Sequence, residues 1–247
     1  MSGSEAFAGG SGREWKSLYL IGGAAALAAM AANILDVVLG FGGEVVAYGA
    51  KSALDWFAVF GKNAFAGLYA LGLLNIVYQI CMIPVFAALA AAHARKKPVL
   101  TGLSMIAFFV GVAVYLANSA AVPMSVLSGK YASAGTEFER ALIAAAGESV
   151  LARGEDFTPG AFLPLILQGI AALGISFVIL KGGVFKKPAG AIGIIAFSLL
   201  AVFTFLATFV PSVYTIAFYG FGMLGGLFVL AWFVLIARGL FRLGKTA

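Results

Sequence analysis

Six separate stretches of predominantly apolar residues constrain this chain more than any other feature of its sequence. A helix needs about 20 such residues to cross the hydrocarbon of a bilayer. The stretches are continuously apolar, whereas the strands of a membrane barrel are about 10 residues long and alternate in character. The sequence therefore predicts an all-α, polytopic integral membrane protein, a bundle of six transmembrane helices. The predicted spans are 17–41, 65–92, 99–122, 161–180, 189–210 and 212–237.

The composition excludes several other classes of protein. Apolar residues make up 62% of the 247 residues and charged residues only 11%, against about half and a quarter in an ordinary soluble domain. A soluble fold and a disordered chain are both excluded, and the single cysteine, Cys81, excludes a disulfide scaffold. The formal net charge of +6 fits attraction to an anionic inner leaflet. We therefore expect membrane lipids as partners, and no nucleic acid.

The distribution of basic residues predicts the orientation of the bundle. Cytoplasmic loops of membrane proteins carry an excess of Lys and Arg. If the N-terminus lies inside, 11 of the 16 basic residues fall on the inner side. This pattern predicts an N-in, C-in topology in a cell membrane, most naturally a prokaryotic inner membrane. The inner residues are Arg13, Lys16, Arg95, Lys96, Lys97, Lys181, Lys186, Lys187, Arg238, Arg242 and Lys245.

Two longer connections, 42–64 and 123–160, are predicted to form a helical cap on the outer side. The first contains apolar residues around Trp56 and is interpreted as a short helix lying in the membrane interface. In the second, Thr136 and Glu139 form a capping box, so a helix should begin there and end at Gly154. Residues 1–12, rich in Gly and Ser, are predicted to be a flexible cytoplasmic tail, and 13–247 a single membrane domain.

Asp36 is the only acidic residue within a predicted span. Ionisable groups in hydrocarbon are costly and are functional-site candidates by default. At a rise of 1.5 Å per residue, Asp36 lies about 28 Å from the inner end of its helix, close to the outer interface. Its carboxylate is therefore either solvated there or partly buried, with Asn33 one turn below on the same face.

Other polar side chains gather in the outer halves of the spans, and the inner halves carry few. This asymmetry predicts a polar pocket or network that opens toward the outer face and is roofed by residues 124–158. Hydrogen bonds between helices, at about 0.6 kcal/mol each, and a permeation path are the alternatives. The candidate ligand-binding residues are Asn33, Asp36, Asn75, Tyr78, Gln79, Tyr115, Asn118, Gln168 and Tyr214.

The sequence offers little for cofactor or metal chemistry. The sole histidine, His93, lies at the inner end of the second span, so two axial histidines for a b-type haem are missing. Ligands for zinc do not converge, and no lysine within a span is available for a retinal Schiff base. We therefore expect no cofactor, no metal and no catalytic residue, and favour a non-enzymatic protein.

Residues 114–134, VYLANSAAVPMSVLSGKYASA, and 144–152, AAAGESVLA, carry a resemblance to a known family. They resemble a widespread prokaryotic family of multi-pass membrane proteins catalogued only as a domain of unknown function. The likeness extends over roughly residues 68–210. It implies the six-helix layout and a helix in the second outer connection, and it implies no catalytic residue.

These observations favour a membrane protein that binds a lipid or small amphiphile in an outer polar pocket. A first alternative is an accessory or scaffold subunit, or a homo-oligomer, packing through small residues such as Gly222 and Gly226. A second alternative is a transporter or channel in which Asp36 has a coupling or entry role.

Overall fold

A computed structural model describes residues 3–42 and 52–246 of the chain, with side chains at 15–39 and 52–246. The described residues form helices and contain no β-strand. A 3-10 turn, Pro211–Val213, and a π-helical segment, Phe218–Gly222, flank the short helix α10. The helices are α1 (Gly3–Gly42), α2 (Ala53–Lys62), α3 (Ala64–Ala70), α4 (Leu73–His93), α5 (Pro98–Asn118), α6 (Ala121–Ser133), α7 (Glu137–Gly154), α8 (Pro159–Gly182), α9 (Lys187–Phe209), α10 (Tyr214–Ala217) and α11 (Met223–Thr246).

Among the described residues, six helical stretches are long and apolar enough to cross a membrane, which confirms the predicted multi-pass, all-α fold. Two of them combine a spanning helix with a further helix, α5 with α6 and α8 with α7. Since α7 carries five charged residues and α8 only one, α8 is the spanning part of its stretch. The stretches are Trp15–Leu39, Leu73–His93, Pro98–Ser133, Glu137–Gly182, Lys187–Phe209 and Pro211–Thr246.

The six spanning helices pack in a closed ring that follows chain order. Helix α4 packs between α1 and α5, helix α8 between α5 and α9, and α11 closes the ring by contacting both α9 and α1. The interior is filled by large apolar side chains that are almost completely buried, including Phe86, Ile175, Trp232 and Phe233. The ring thus surrounds a tightly packed core over much of its length.

The remaining helices, α2, α3, α6 and α7, form a second apolar cluster around Trp56, Phe57 and Met124. The backbone N–H of Ala53 donates a 2.7 Å hydrogen bond to Oε1 of Glu148, so α7 caps the start of α2. The short helix predicted in this connection is present as α2, and its apolar face packs against protein. Its placement in the membrane interface stays a prediction. Residues 43–51 of this connection lie outside the described residues.

The second predicted span, 65–92, is divided into α3 and α4 by a break at Leu71 and Gly72. Gly72 adopts φ +90°, a left-handed conformation that glycine reaches without a steric penalty. The break was not evident from the apolar run, because the residues on either side of Gly72, Leu71 and Leu73, are both apolar. The spanning helix consequently begins at Leu73.

The second outer connection, 123–160, differs from the prediction by one additional helix. Helix α5 ends at Asn118, inside the predicted span 99–122, and α6 follows after Ser119, whose ψ of 129° is not helical. The capping box of Thr136 and Glu139 is confirmed, with both reciprocal hydrogen bonds present. Helix α7 ends at Gly154 as predicted.

Both ends of the chain are more helical than expected. The backbone is helical from Gly3, while the flexibility of residues 1–12 stays a prediction. Extending an existing helix adds one hydrogen bond for each residue ordered, so α1 continues into this segment. The last helix likewise continues past residue 237 to Thr246.

Candidate functional site

A cavity of about 370 Å³ lies between α1, α4, α5, α8 and α9, and we call it the central cavity. This volume is within the range of small-molecule sites, about 300–1,000 Å³. Six of the nine predicted site residues line it: Asp36, Asn75, Tyr78, Gln79, Tyr115 and Gln168. They come from four helices, so the structure brings together side chains that were far apart in the sequence.

The central cavity occupies one half of the bundle and ends near the middle. It runs from the first turn of α4 at Asn75 to Phe86, a rise of about 17 Å at 1.5 Å per residue. There the rings of Phe86 and Phe108 stack in parallel with centroids 3.7 Å apart. Beyond this pair the side chains pack into the buried core. The cavity is therefore closed at its deep end.

Close packing of α5 against α8 positions Gln168 in this wall. Gly111 faces the backbone of Pro164 and the side chain of Gln168, and a Cβ at position 111 would lie 2.8 Å from Cγ of Gln168. The glycine thus permits the two helices to approach. Gln79 and Asn75 share a face of α4 because they are four residues apart.

The turn between α7 and α8 supplies Asp156 and Phe157 to the mouth of the cavity. Nδ2 of Asn75 donates a 3.3 Å hydrogen bond to Oδ2 of Asp156, and the side chain of Tyr115 lies close enough to the same carboxylate to affect its pKa. Asp156 is thereby close to two helices of the bundle, although its own backbone belongs to neither.

Phe157 has an unusual backbone conformation, with φ 63°. A non-glycine residue with positive φ carries a cost of about 1–3 kcal/mol, which the surroundings must offset. The Phe157 ring lies 5.1 Å from the ring of Phe203 and 6.0 Å from that of Tyr214, both at steep angles. Such edge-to-face pairs each contribute about 0.5–1.5 kcal/mol beyond burial. Aromatic packing thus fixes the turn over the cavity.

The electrostatics of the mouth are dominated by uncompensated negative charge. Burial, helped by the nearby carboxylates of Asp36 and Glu155 and opposed by Tyr115, raises the pKa of Asp156 to about 6. Asp156 lies in a turn outside the spanning helices, where its side chain retains solvent contact. Neither Asp156 nor Asp36 forms an ion pair with a described residue.

Two amide groups in the cavity wall have no hydrogen-bond partner among the described residues. They are Oε1 of Gln79, whose side chain belongs to a residue only 3% exposed, and Nε2 of Gln168. A buried polar group left without a partner costs about 1–3 kcal/mol. An occupant of the cavity that pairs with them would remove this cost.

Three predicted site residues do not line the central cavity: Asn33, Asn118 and Tyr214. Asn33 is one turn from Asp36, which is the only residue of α1 in the wall among those with described side chains. Asn118 lies at the end of α5. Its backbone carbonyl oxygen lies so close to Gly154 that a side chain at position 154 would collide with it. Tyr214 packs behind the wall, against Phe157 and Phe203. Ligand binding by the nine residues remains a prediction.

Sequence reasoning missed Asp156, Phe157 and Thr204, all of which line the cavity. Asp156 lies in a loop, where a carboxylate normally contacts water and attracts no attention. Phe157 and Thr204 were missed because a phenylalanine beside a membrane span and a threonine within one are both common and do not by themselves indicate a site. The only signal was the position of Asp156 and Phe157 inside the predicted roof, 124–158.

The fold and the cavity define a class: a multi-pass membrane protein whose six-helix ring encloses a closed-ended polar and aromatic cavity. Compared with protein-family profiles, curated proteins and solved structures, the chain shows no significant match. The resemblance carried by residues 114–152 therefore stays a prediction.

Proposed function

We propose that this protein is a non-enzymatic integral membrane protein that binds a small amphiphile in the central cavity. The observation that carries the proposal is the pair of unpartnered amide groups, Gln79 Oε1 and Gln168 Nε2, in a wall that is otherwise largely apolar. Ligand sites typically combine such an apolar lining with a few convergent polar groups. In our proposal the cavity opens toward the outer face of a cell membrane.

The closed end of the cavity favours binding over permeation. A continuous path would have to pass the stacked rings of Phe86 and Phe108 and then the buried core around Trp232 and Phe233. Hydrogen bonds between helices also do not account for these polar residues, since Gln79 Oε1 and Gln168 Nε2 have no partner among the described residues.

A cavity-filling substitution tests this function. Gly169 lines the cavity, and a Cβ built on it has no neighbour within 4 Å, so the side chain of Gly169→Leu would occupy the cavity. Gly102→Leu is the matched control, because Gly102 is exposed on α5 and also has open space. Native mass spectrometry of protein extracted gently from its own membranes would measure retained small molecules.

We expect a reproducible small adduct on the wild type and on Gly102→Leu, and its loss from Gly169→Leu. An adduct of undiminished occupancy on Gly169→Leu would place the ligand elsewhere and refute the proposal. A defined mass containing other polypeptides, with no small adduct on any variant, would instead favour an accessory subunit.

A further inference from the structure

The charge of the central cavity limits what it can hold. Asp36 and Asp156 both contribute carboxylates to its wall, and the described residues that line it include no Lys or Arg. Asp156 is exposed and Asp36 is half-buried, so an occupant of the cavity would displace water from them, and this is costly unless the occupant supplies a counter-charge. A positively charged occupant would supply the missing counter-charge, whereas an anion would add to the repulsion.

The rest of the wall is unusually aromatic. Seven rings of the part of the chain that the structure describes line the cavity, together with the two carboxylates. The negative face of an aromatic ring attracts an organic cation within about 6 Å of its centroid, and aromatic cages bind ammonium groups in this way. The rings are those of Tyr78, Phe86, Phe108, Tyr115, Phe157, Phe197 and Phe203.

The unpartnered oxygen of Gln79 adds a third, independent requirement. Gln79 is buried, with only 3% of its surface exposed. Its Oε1 accepts no hydrogen bond from any described residue. An ammonium group bearing N–H has donors to offer. A carboxylate or an ether would leave this oxygen unsatisfied.

We propose that the central cavity is selective for an amphiphilic organic ammonium ion, with the charged nitrogen near Asp36 and Asp156 and the apolar part among the aromatic rings. This inference rests on the proposed function and adds the chemical class of the ligand.

Two other kinds of cation fit the wall less well. A phospholipid with an ammonium headgroup also carries a phosphate, which would lie close to the same carboxylates with no lining cation to balance it. Hard metal ions such as Mg²⁺ and Ca²⁺ require about six or more oxygen ligands, whereas most of this wall is aromatic or aliphatic. The ligand is therefore a free amine rather than a lipid headgroup or a metal ion.

Three matched probes separate the contributions of charge and shape. They are 2-phenylethylammonium, 2-phenylethanol and 3-phenylpropanoate, which share a phenyl group and a short chain but are positive, neutral and negative at pH 7.5. Isothermal titration calorimetry on the purified full chain in detergent, corrected with protein-free micelles, would measure each affinity. Titrations with MgCl₂ and with phosphatidylethanolamine dissolved in the same detergent test the metal ion and the phospholipid as competing ligands.

We expect the ammonium probe to bind at least tenfold more tightly than the alcohol, and the carboxylate probe not to bind. Asp156→Asn and, separately, Asp36→Asn should each weaken ammonium binding by about tenfold and leave alcohol binding unchanged. Glu137→Gln makes the same charge change at the exposed start of α7 and should alter neither. Thermal unfolding of each variant verifies that it is folded.

The outcomes distinguish the two proposals. Equal affinities for all three probes, each abolished by Gly169→Leu, would preserve the binding function and refute selectivity for ammonium. Tighter binding of MgCl₂ or of the phospholipid than of the amine would also refute it. Failure of every probe to bind the wild type would refute both proposals.

Discussion

Nδ2 of Asn75 and Oδ2 of Asp156 are joined by a hydrogen bond of 3.3 Å, although the two residues are 81 positions apart in the chain. The bond connects the first turn of α4 to the turn between α7 and α8. It therefore connects the apolar cluster formed by α2, α3, α6 and α7 to the wall of the central cavity. We expect a structural change in either part to alter the other.

Binding of 2-phenylethylammonium should depend on pH. The titratable groups that act on Asp156 are Asp36 of α1, Tyr115 of α5 and Glu155 of the same turn. Because the pKa of Asp156 is raised to about 6, this carboxylate is ionised at pH 7.5 and largely protonated at pH 5. We expect affinity to fall roughly fivefold over this interval as the negative charge is lost.

Calorimetry at pH 7.5, 6.0 and 5.0 measures this dependence, since the probe itself remains protonated throughout. Asp156→Asn should bind more weakly but with a much flatter pH profile. A profile that is equally steep in the variant would assign the titration to another group.

Asp156→Asn should also stabilise the protein at neutral pH. A carboxyl whose pKa is higher in the folded state than in the unfolded state lowers stability when it is ionised. The penalty is fully present above pH 6 and disappears as pH falls toward the ordinary value of 3.8. We expect the Tm of the variant to exceed that of the wild type by about 2 °C at pH 7.5, and the two to converge near pH 4.

Scanning calorimetry of both proteins across this range is the measurement. A variant less stable than the wild type at pH 7.5 would mean that the hydrogen bond from Asn75 and the proximity of Tyr115 outweigh the cost of the charge at this position.

Gly72→Ala should destabilise the start of α4. Alanine in the left-handed conformation costs about 1–2 kcal/mol, while the nearest atom to the new Cβ, Oη of Tyr115, lies 3.6 Å away and leaves room for it. The cost is therefore in the backbone, and we expect Tm to fall by about 3 °C.

The control for this substitution is Gly129→Ala, in the middle of α6 with open space around it. Alanine is favoured over glycine in a helix by about 0.5–1 kcal/mol, so Tm should stay constant or rise. Equal losses in both variants would contradict a specific role for the conformation of Gly72.

Glu148→Ala should loosen α2. Its Oε1 accepts the hydrogen bond from the Ala53 N–H, and a hydrogen bond to a charged group contributes about 1.5–3 kcal/mol. We expect faster hydrogen–deuterium exchange in peptides covering residues 52–62, with exchange in α8 unchanged. Glu148→Gln retains an acceptor oxygen and should show a smaller effect, and unchanged exchange in Glu148→Ala would exclude the cap.

Much of the bundle could be predicted because it depends on local properties of the chain. Each membrane span is a long apolar run, and the capping box of Thr136 and Glu139 is a contact between residues three positions apart. The break at Gly72 escaped prediction since glycine within an apolar run is equally compatible with a continuous helix.

The candidate site was predicted in part for the same reason. Asn75 and Gln79 lie one helical turn apart on a single face, so periodicity alone places them together. Asp156 reaches the cavity through contacts with Asn75 and Tyr115, which only tertiary structure creates. Glu148 likewise gains its role from α2, in a different part of the chain.

The closed ring of spanning helices has a consequence for biogenesis. Five of its six contacts join spanning helices that are consecutive in the chain, and such local contacts favour rapid assembly. During synthesis each new span could dock on the one before it as it leaves the ribosome. The contact between α1 and α11 must wait for the last span, so a nascent chain arrested before α11 would hold a formed cavity wall inside an open ring.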